Sequence, residues 1–151
     1  GLANTCCGLQ NEKDKKMIEM ELIRILMNET RGEQMVVLKE KGGKRTLPII
    51  IGIPEASAIK LKISGIRTPR PMTHDLLKNI IEQLGATLKE VIIDRLEENT
   101  FYAKLVLNGT GDKAVVVDAR PSDSIALALR AGCPIFATEN LLNQVGTLDG
   151  S

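Results

Sequence analysis

The stretch KRTLPIIIGIPEASAIKLKI, residues 44–63, contains both kinds of secondary structure that this chain uses. Its apolar, β-branched run at 49–51 is typical of a strand, and Gly52 ends it. Pro54 then stands in the first turn of a helix, where a residue without a main-chain N–H is well placed. The stretch therefore predicts a strand that leads directly into a helix.

Two more strands are predicted before this stretch. Residues 17–29, MIEMELIRILMNE, form the first, and the turn-forming residues 30–33 follow it. Residues 34–41, QMVVLKEK, form the second, and Gly42-Gly43 is a two-residue hairpin signal. The third strand then covers 44–51, so we expect three consecutive strands.

A loop and a second helix are predicted after the first helix. Residues 64–72, SGIRTPRPM, contain Gly, Pro and Arg. They are predicted to form a loop, because Gly and Pro interrupt regular structure. We expect Thr73 to cap a helix over HDLLKNIIEQL, with Asp75 in its first turn and Gly85 just past its end. Apolar residues recur in it at helical spacing, so it is predicted to bury one face. These residues are Leu76, Leu77, Ile80, Ile81 and Leu84.

The same order of elements recurs in the second half. We predict strands over 87–96, 100–108 and 113–119, a helix over 122–132, a short extended segment at 134–137 and a last short helix from 139. Residue n placed beside residue n+66 aligns the halves without a gap, so that III meets VVV. We infer two copies of a β-β-β-α-α unit, residues 17–82 and 83–148, which share one core. The alternative is two α+β halves that are alike by chance.

Length and composition fit one α+β domain over residues 17–147. Residues 1–16 lack hydrophobic periodicity and are expected to form a disordered tail.

Twenty Lys and Arg residues balance nineteen Asp and Glu residues, whereas a dedicated nucleic-acid-binding protein usually has a basic surplus. Any site for a polyanion is therefore expected to be a local patch. Aromatic residues make up only 2% of the chain, which argues against a stacking platform for single strands.

The three cysteines fit no metal-binding spacing. Cys6 and Cys7 are adjacent, and Cys133 stands in an apolar context where a buried free thiol is expected. No apolar run is long enough to span a membrane. We expect a cytoplasmic protein, or an exported one if a signal peptide preceded Gly1.

Three sequence segments contain motifs that are specific to one protein family. They are RTLPIIIGIPEASAI at 45–59, RPMTHDLLKNIIEQLGATLKEVIIDRLEENTFYAKLVL at 70–107 and DARPSDSIALALRAGCPIFATENLL at 118–142. In order and spacing they resemble the bifunctional nuclease (BFN) domain family over residues 18–145. The resemblance implies duplicated β3-α2 units in one curved, barrel-like mixed sheet with helices packed on it. It also implies nuclease activity on DNA and RNA, and a homo-oligomer.

A first candidate site lies in the phrase RPMTHD. Hydrolysis of a phosphodiester needs carboxylates that hold a divalent metal, or a base such as His, with cations for the phosphate. His74, the only histidine, stands beside Asp75 at a helix N-terminus, which favours anions. Arg67 and Arg70 lie just upstream and could bind the phosphate. The alternative is structural: Thr73 caps the helix, Asp75 complements its dipole and His74 is an exposed neighbour.

A second candidate site lies in the phrase DARPSD. Asp118 at the end of a buried strand and Asp123 in the first turn of a helix could meet at one metal ion, with Glu55 as a third ligand. Arg120 and Ser122 are candidates for binding the substrate. The alternative is a helix cap with a structural ion pair between Arg120 and Asp118 or Asp123, and Glu55 then only complements a helix dipole.

Two functions remain open at this stage. The first is a nuclease that uses Mg²⁺ or Mn²⁺, with His74, Asp75 and Asp123 as catalytic residues. The second is a non-catalytic, oligomeric binding or assembly module, with a phosphorylated small ligand at the helix N-termini. The near-zero net charge and the single histidine count against the first function, whereas the second function is compatible with the balanced charge.

Overall fold

We describe residues 16–28 and 30–148 in a computed structural model of the chain. The strands are β1 (Met17–Asn28), β2 (Glu33–Glu40), β3 (Arg45–Ile51), β4 (Thr87–Glu97), β5 (Thr100–Asn108), β6 (Ala114–Ala119), β7 (Ile135–Thr138) and β8 (Thr147–Leu148). The helices are α1 (Ile53–Ile63), α2 (Thr73–Gln83), α3 (Pro121–Ala131) and α4 (Glu139–Val145), with a 3₁₀ turn at Thr110–Asp112. Residues 1–15 of the predicted tail, with Cys6 and Cys7, lie outside the described residues.

The strands form one mixed sheet in the order β6-β5-β4-β7-β1-β2-β3-β8. Each half of the chain contributes an antiparallel run, β1-β2-β3 and β4-β5-β6. β7 joins the two runs, since it pairs antiparallel with β1 and parallel with β4. The prediction of an α+β domain with one mixed sheet is confirmed.

The barrel-like closure of the sheet, which the resemblance implied, is wrong. The sheet is open, with β6 at one edge and β8 at the other. β8 is only two residues long and pairs with β3 at Arg45 and Thr46, so it is too short to join the two edges. The end of β3 nevertheless lies near the β4–β5 turn, because Ile51 and Asn99 line the same cavity.

The order strand–strand–strand–helix is present in both halves of the chain. β7 lies between α3 and α4, whereas the described segment between α1 and α2 contains no strand. The two halves therefore differ at this point, and an internal repeat of one unit stays a prediction.

α3 is the central helix of an aliphatic core. Most of its residues are buried, and it packs against α1, α2, β4 and β5. Small side chains such as Ala126 and Ala128 allow this close approach. Ile59 of α1 and Leu142 of α4 extend the same core. This packing brings the first turns of α1, α2 and α3 to one place on the surface.

Two predictions about buried surfaces are wrong. Leu76, Leu77 and Ile80 of α2 are exposed, and so is Leu84 just after the helix, at 75%. Among the residues of α2 only His74 is buried. The strand over 113–119 is exposed as well, including its three valines. The reason is position: α2 lies beside α3 with few contacts to the sheet, and β6 is an edge strand.

Candidate functional site

The first turns of α1, α2 and α3 line one cleft of about 360 Å³. Glu55 comes from α1, His74 from α2 and Asp123 from α3, while Arg120 immediately precedes α3. The first N–H groups of a helix have no partner within the helix and carry a partial positive charge. The cleft thus combines acidic, basic and neutral side chains in surroundings that favour a bound anion.

The start of α2 is capped differently from the prediction. Met72 is the N-cap residue and Thr73 is already helical, so capping by the Thr73 side chain is wrong. The main-chain N–H of Met72 instead donates to Oδ2 of Asp75 at 2.9 Å. A carboxylate at this position can reach back over the first turn, and it does so here. His74 is held in that turn, next to α3.

His74 and Asp123 form the central contact of the cleft. Nε2 of His74 lies 2.9 Å from Oδ1 of Asp123, and His74 is only 7% exposed. The structural alternative, in which His74 is an exposed neighbour of the cap, is therefore wrong. Nδ1 of His74 makes no hydrogen bond to the described residues and is not fully enclosed. Since the carboxylate fixes one ring nitrogen, the other can exchange a proton.

Arg120 links Asp123 to Glu55. Its Nε donates to Oδ2 of Asp123 at 2.9 Å, and its Nη2 donates to Oε1 of Glu55 at 2.6 Å. Burial alone would raise the pKa of Asp123, but hydrogen bonds from Arg120 and His74 hold that pKa below its ordinary value. The same two carboxylates raise the pKa of Arg120. At neutral pH the cleft therefore holds an ionised carboxylate and a guanidinium next to the imidazole.

Glu55 has one oxygen that the protein leaves without a donor. Oε2 of Glu55 is buried and has no hydrogen-bond partner within the described residues. A Cβ atom at Gly52 would lie 2.6 Å from this oxygen, so the absence of a side chain there makes room for the carboxylate. A buried oxygen without a donor is unfavourable, and a bound donor would relieve that cost.

Asp75 faces away from the His74–Asp123 pair. Its Oδ1 accepts a hydrogen bond from Nε of Arg130 at 2.8 Å. The Met72 N–H and the Arg130 guanidinium hold the pKa of Asp75 below its ordinary value, against the effect of burial. Asp75 lines a second cavity, of about 640 Å³, together with Arg67 and Arg70. It is therefore a neighbour of the central pair and not part of it.

The expected set of metal ligands is not assembled. Asp118 is exposed on the edge strand β6, opposite Lys104 of β5, and does not line the cleft. Glu55 and Asp123 do line it, but Arg120 binds both carboxylates. Within residues 16–28 and 30–148, no group of three or more His, Cys, Asp or Glu residues is placed to hold a metal ion. These side chains therefore do not fit a preformed Mg²⁺ or Mn²⁺ site.

Cys133 does not supply a nucleophile. It is a free, half-buried cysteine. Burial raises the pKa of its thiol to about 11, so the thiol stays protonated at neutral pH. The predicted free thiol is confirmed, although the residue is only partly buried.

Two residues next to the cleft were not singled out from the sequence. Phe101 lines a third cavity, of about 450 Å³, with Arg120 and Ser122. Phe101 lies in the TFYA motif of the family, and this motif could have drawn attention to it. Arg130 was also missed, although a charged residue in the otherwise apolar end of α3 could have drawn attention to it.

Comparison with known proteins identifies the family. The sequence profile of the bifunctional nuclease domain matches residues 36–149. The chain belongs to the bifunctional nuclease domain family. An uncharacterised protein of Mycobacterium tuberculosis is 46% identical to this BFN chain over 132 residues, which cover 87% of the chain and 78% of that protein.

Plant bifunctional nucleases are more distant relatives of this BFN chain. Bifunctional nuclease 1 of Oryza sativa subsp. indica is 25% identical over 141 residues, 91% of the chain and 43% of the rice protein. Bifunctional nuclease 2 of Arabidopsis thaliana is 28% identical over 142 residues, 87% of the chain and 43% of that protein. The BFN chain thus spans less than half the length of these relatives. Among its described residues, no helix has the length and apolar character to cross a membrane.

Proposed function

We propose that this BFN domain hydrolyses phosphodiester bonds of DNA or RNA in the cleft at the start of α1, α2 and α3. The observation that carries the proposal is the His74–Asp123 pair with Arg120 beside it. The names of the plant relatives support the same activity.

The pair supplies a general base. Oδ1 of Asp123 accepts a hydrogen bond from the Nε2–H group of His74, so the lone pair of the neutral ring is on Nδ1. Nδ1 takes a proton from a water molecule as the water oxygen forms a bond to phosphorus. The bond from phosphorus to the leaving oxygen breaks, and that oxygen takes a proton from solvent. His74 then returns its proton to water, which completes the cycle.

Arg120 stabilises the negative charge that develops on the phosphate oxygens. A guanidinium can bind a phosphate through two parallel hydrogen bonds. The Arg120 side chain is 66% exposed, so it can meet a substrate without leaving Asp123. Its placement by two carboxylates means that it need not reorganise during the reaction.

Arg67 and Arg70 bind a neighbouring phosphate of the substrate in this proposal. They line the second cavity, which shares Leu61 and Met72 with the cleft. A polynucleotide carries a phosphate at each step, so a cationic cavity beside the cleft extends the binding surface. A patch of this kind agrees with the near-zero net charge of the whole chain.

A requirement for Mg²⁺ or Mn²⁺ stays a prediction. Glu55 and Asp123 are the members of the expected ligand set that share the cleft, and both are bound by Arg120. No step above passes through a metal ion. Parallel assays with Mg²⁺, Mn²⁺ and EDTA measure the requirement directly.

The proposal is tested by cleavage of fluorescent single-stranded DNA and RNA by the purified chain. His74→Gln and Asp123→Asn are each expected to lower the rate by roughly 10²- to 10⁴-fold, because they remove the base or its orienting partner. Asp112→Asn, in the exposed turn before β6, is the matched control and keeps the wild-type rate. Unchanged circular dichroism shows that the variants are folded. Cleavage that survives both substitutions in the cleft, or no cleavage by the wild type, contradicts the proposal.

A second candidate is an oligomeric binding or assembly module, and the exposed apolar surface supports it. Exposed apolar residues lie on α2 and on the edge strand β6. The C-terminal end of α2 comes close to the turn before β6, because a Cβ on Gly85 would lie 2.9 Å from Cγ2 of Thr110. We call these exposed apolar residues of α2 and β6 together the α2–β6 face. We propose a second copy of the chain as its partner, since an edge strand can pair antiparallel with its own copy about a two-fold axis.

A further inference from the structure

We propose that the third cavity binds a nucleobase of the substrate. This cavity lies between the end of β3, the β4–β5 turn and the start of α3, and we call it the β3–α3 cavity. The inference rests on the proposed function, since it assigns a position to the base whose phosphate lies at Arg120. Its volume of about 450 Å³ is within the range of sites for small molecules.

Ser122 points to a polar ligand in this cavity. The residue is only 6% exposed, yet its hydroxyl makes no hydrogen bond to any described residue. The hydroxyl oxygen is not fully enclosed, and Ser122 lines the cavity. A hydroxyl in this position needs a hydrogen-bond partner, which in the free chain is solvent. A ligand in the cavity would supply one.

The edge of β3 adds main-chain groups to the same wall. β8 pairs with β3 at Arg45 and Thr46, and the described strands leave the outer edge of β3 uncovered beyond that point. Residues 49–51 of this edge line the cavity. The unpaired N–H and C=O groups of an edge strand can bond to the polar rim of a planar ring.

Phe101 and Arg120 narrow the choice of ligand. Phe101 is partly buried against the core and lines the cavity, and an aromatic ring can stack on a base of any identity. Arg120 lines both the cavity and the cleft of the His74–Asp123 pair. One nucleotide can therefore place its phosphate at Arg120 and its base on Phe101. The chain has few aromatic residues, so this is a site for one base and not a platform for a strand.

The test compares a nucleotide with the same molecule lacking its base. Adenosine 5′-monophosphate and ribose 5-phosphate are titrated into the full chain in EDTA, with binding followed by calorimetry and by NMR shifts. We expect the nucleotide to bind roughly tenfold more tightly, which is the contribution of one stacked base. Phe101→Leu is expected to remove most of this difference. Phe136→Leu, the same change on β7 and outside the cavity, is the matched control and keeps the difference.

The outcomes separate this inference from the proposed function. Equal affinity for the two probes, or no effect of Phe101→Leu and Ser122→Ala, overturns the nucleobase site even if the chain cleaves DNA. Base-dependent binding with no cleavage of any substrate supports the site and contradicts the nuclease. Binding of an extended peptide along β3 in place of the nucleotide also overturns the inference.

Discussion

Arg130 connects three helices through one buried guanidinium. Its side chain is 6% exposed. Nε donates to Asp75 at the start of α2, Nη2 to the carbonyl of Ala58 in α1, and Nη1 to the carbonyl of Ala126 in α3 itself. Because α1, α2 and α3 carry the residues of the cleft, this side chain positions the site without belonging to it.

Replacement of Arg130 by Met is expected to destabilise the fold by roughly 2–3 kcal/mol, since it removes the ion pair with Asp75 and the hydrogen bonds that link α3 to α1 and α2. Arg31→Met, in the exposed β1–β2 turn, is the control and is expected to change stability by less than about 0.5 kcal/mol. Urea unfolding followed by circular dichroism measures both values. Equal midpoints for Arg130→Met and the wild type would show that the guanidinium does not hold the helices.

The chemistry of the candidate residues could be predicted from the sequence, and so could a pairing of Arg120 with Asp123, but the partner of His74 could not. His74, Asp123 and Arg120 were all singled out by residue type and helix position. The sequence paired His74 with its neighbour Asp75, whereas the structure pairs it with Asp123, 49 residues away. The choice between two such carboxylates depends on how α2 and α3 pack, which is a tertiary property. Asp118 was expected at the end of a buried strand as a metal ligand, but it lies on the exposed edge strand β6. This position also depends on how the elements pack.

At the scale of elements, Arg45 links the β2–β3 hairpin to α4 through ion pairs and hydrogen bonds. Its guanidinium binds Glu40 on one side and Glu139 on the other, and it also donates to Asn143. Glu40 accepts the main-chain N–H groups of Lys44 and Arg45 as well. The hydrogen bonds from Arg45 lower the pKa of Glu40 to about 2.

This depressed pKa predicts a pH-dependent contribution to stability. The contribution of ionised Glu40 is complete above its ordinary pKa near 4.5 and is lost as the pH falls toward about 2. Glu40→Gln is therefore expected to cost about 1–2 kcal/mol at pH 7 and nothing near pH 2. Unfolding by urea at a series of pH values measures the difference. Glu33→Gln, on the same strand, is the control, and a gap that is constant with pH contradicts the prediction.

The boundaries of most elements follow from local patterns, because turns, glycines and helix-starting prolines act over a few residues. These local patterns do not show against which other element each helix or strand packs. The apolar stripe of α2 correctly predicted an amphipathic helix, but the pattern is the same whether the core or another chain covers it. The pairing of β7 with β1 and β4 could not be predicted from the sequence either, because a short extended segment carries no information on which strands lie beside it.

At the scale of the whole molecule, the α2–β6 face predicts self-association. We expect a dimer by size-exclusion chromatography with light scattering, and we expect Leu84→Glu to give a monomer with unchanged stability, because this side chain is 75% exposed in one chain. Leu26→Glu places the same charge on an exposed residue of β1 and is the control that keeps the dimer. A monomeric wild type contradicts the prediction.

The position of β7 also sets the order in which the chain can fold. Each three-strand run is built from hairpins of neighbouring segments, whereas β7 joins Met17 to Thr138 and Val91 to Ile135. Contacts between distant segments form late, because a long loop must be closed first. During synthesis the edge of β1 that binds β7 therefore stays unpaired until residues 135–138 have left the ribosome. An unpaired strand edge can pair with another nascent chain. One of the last strands to be made thus protects the first.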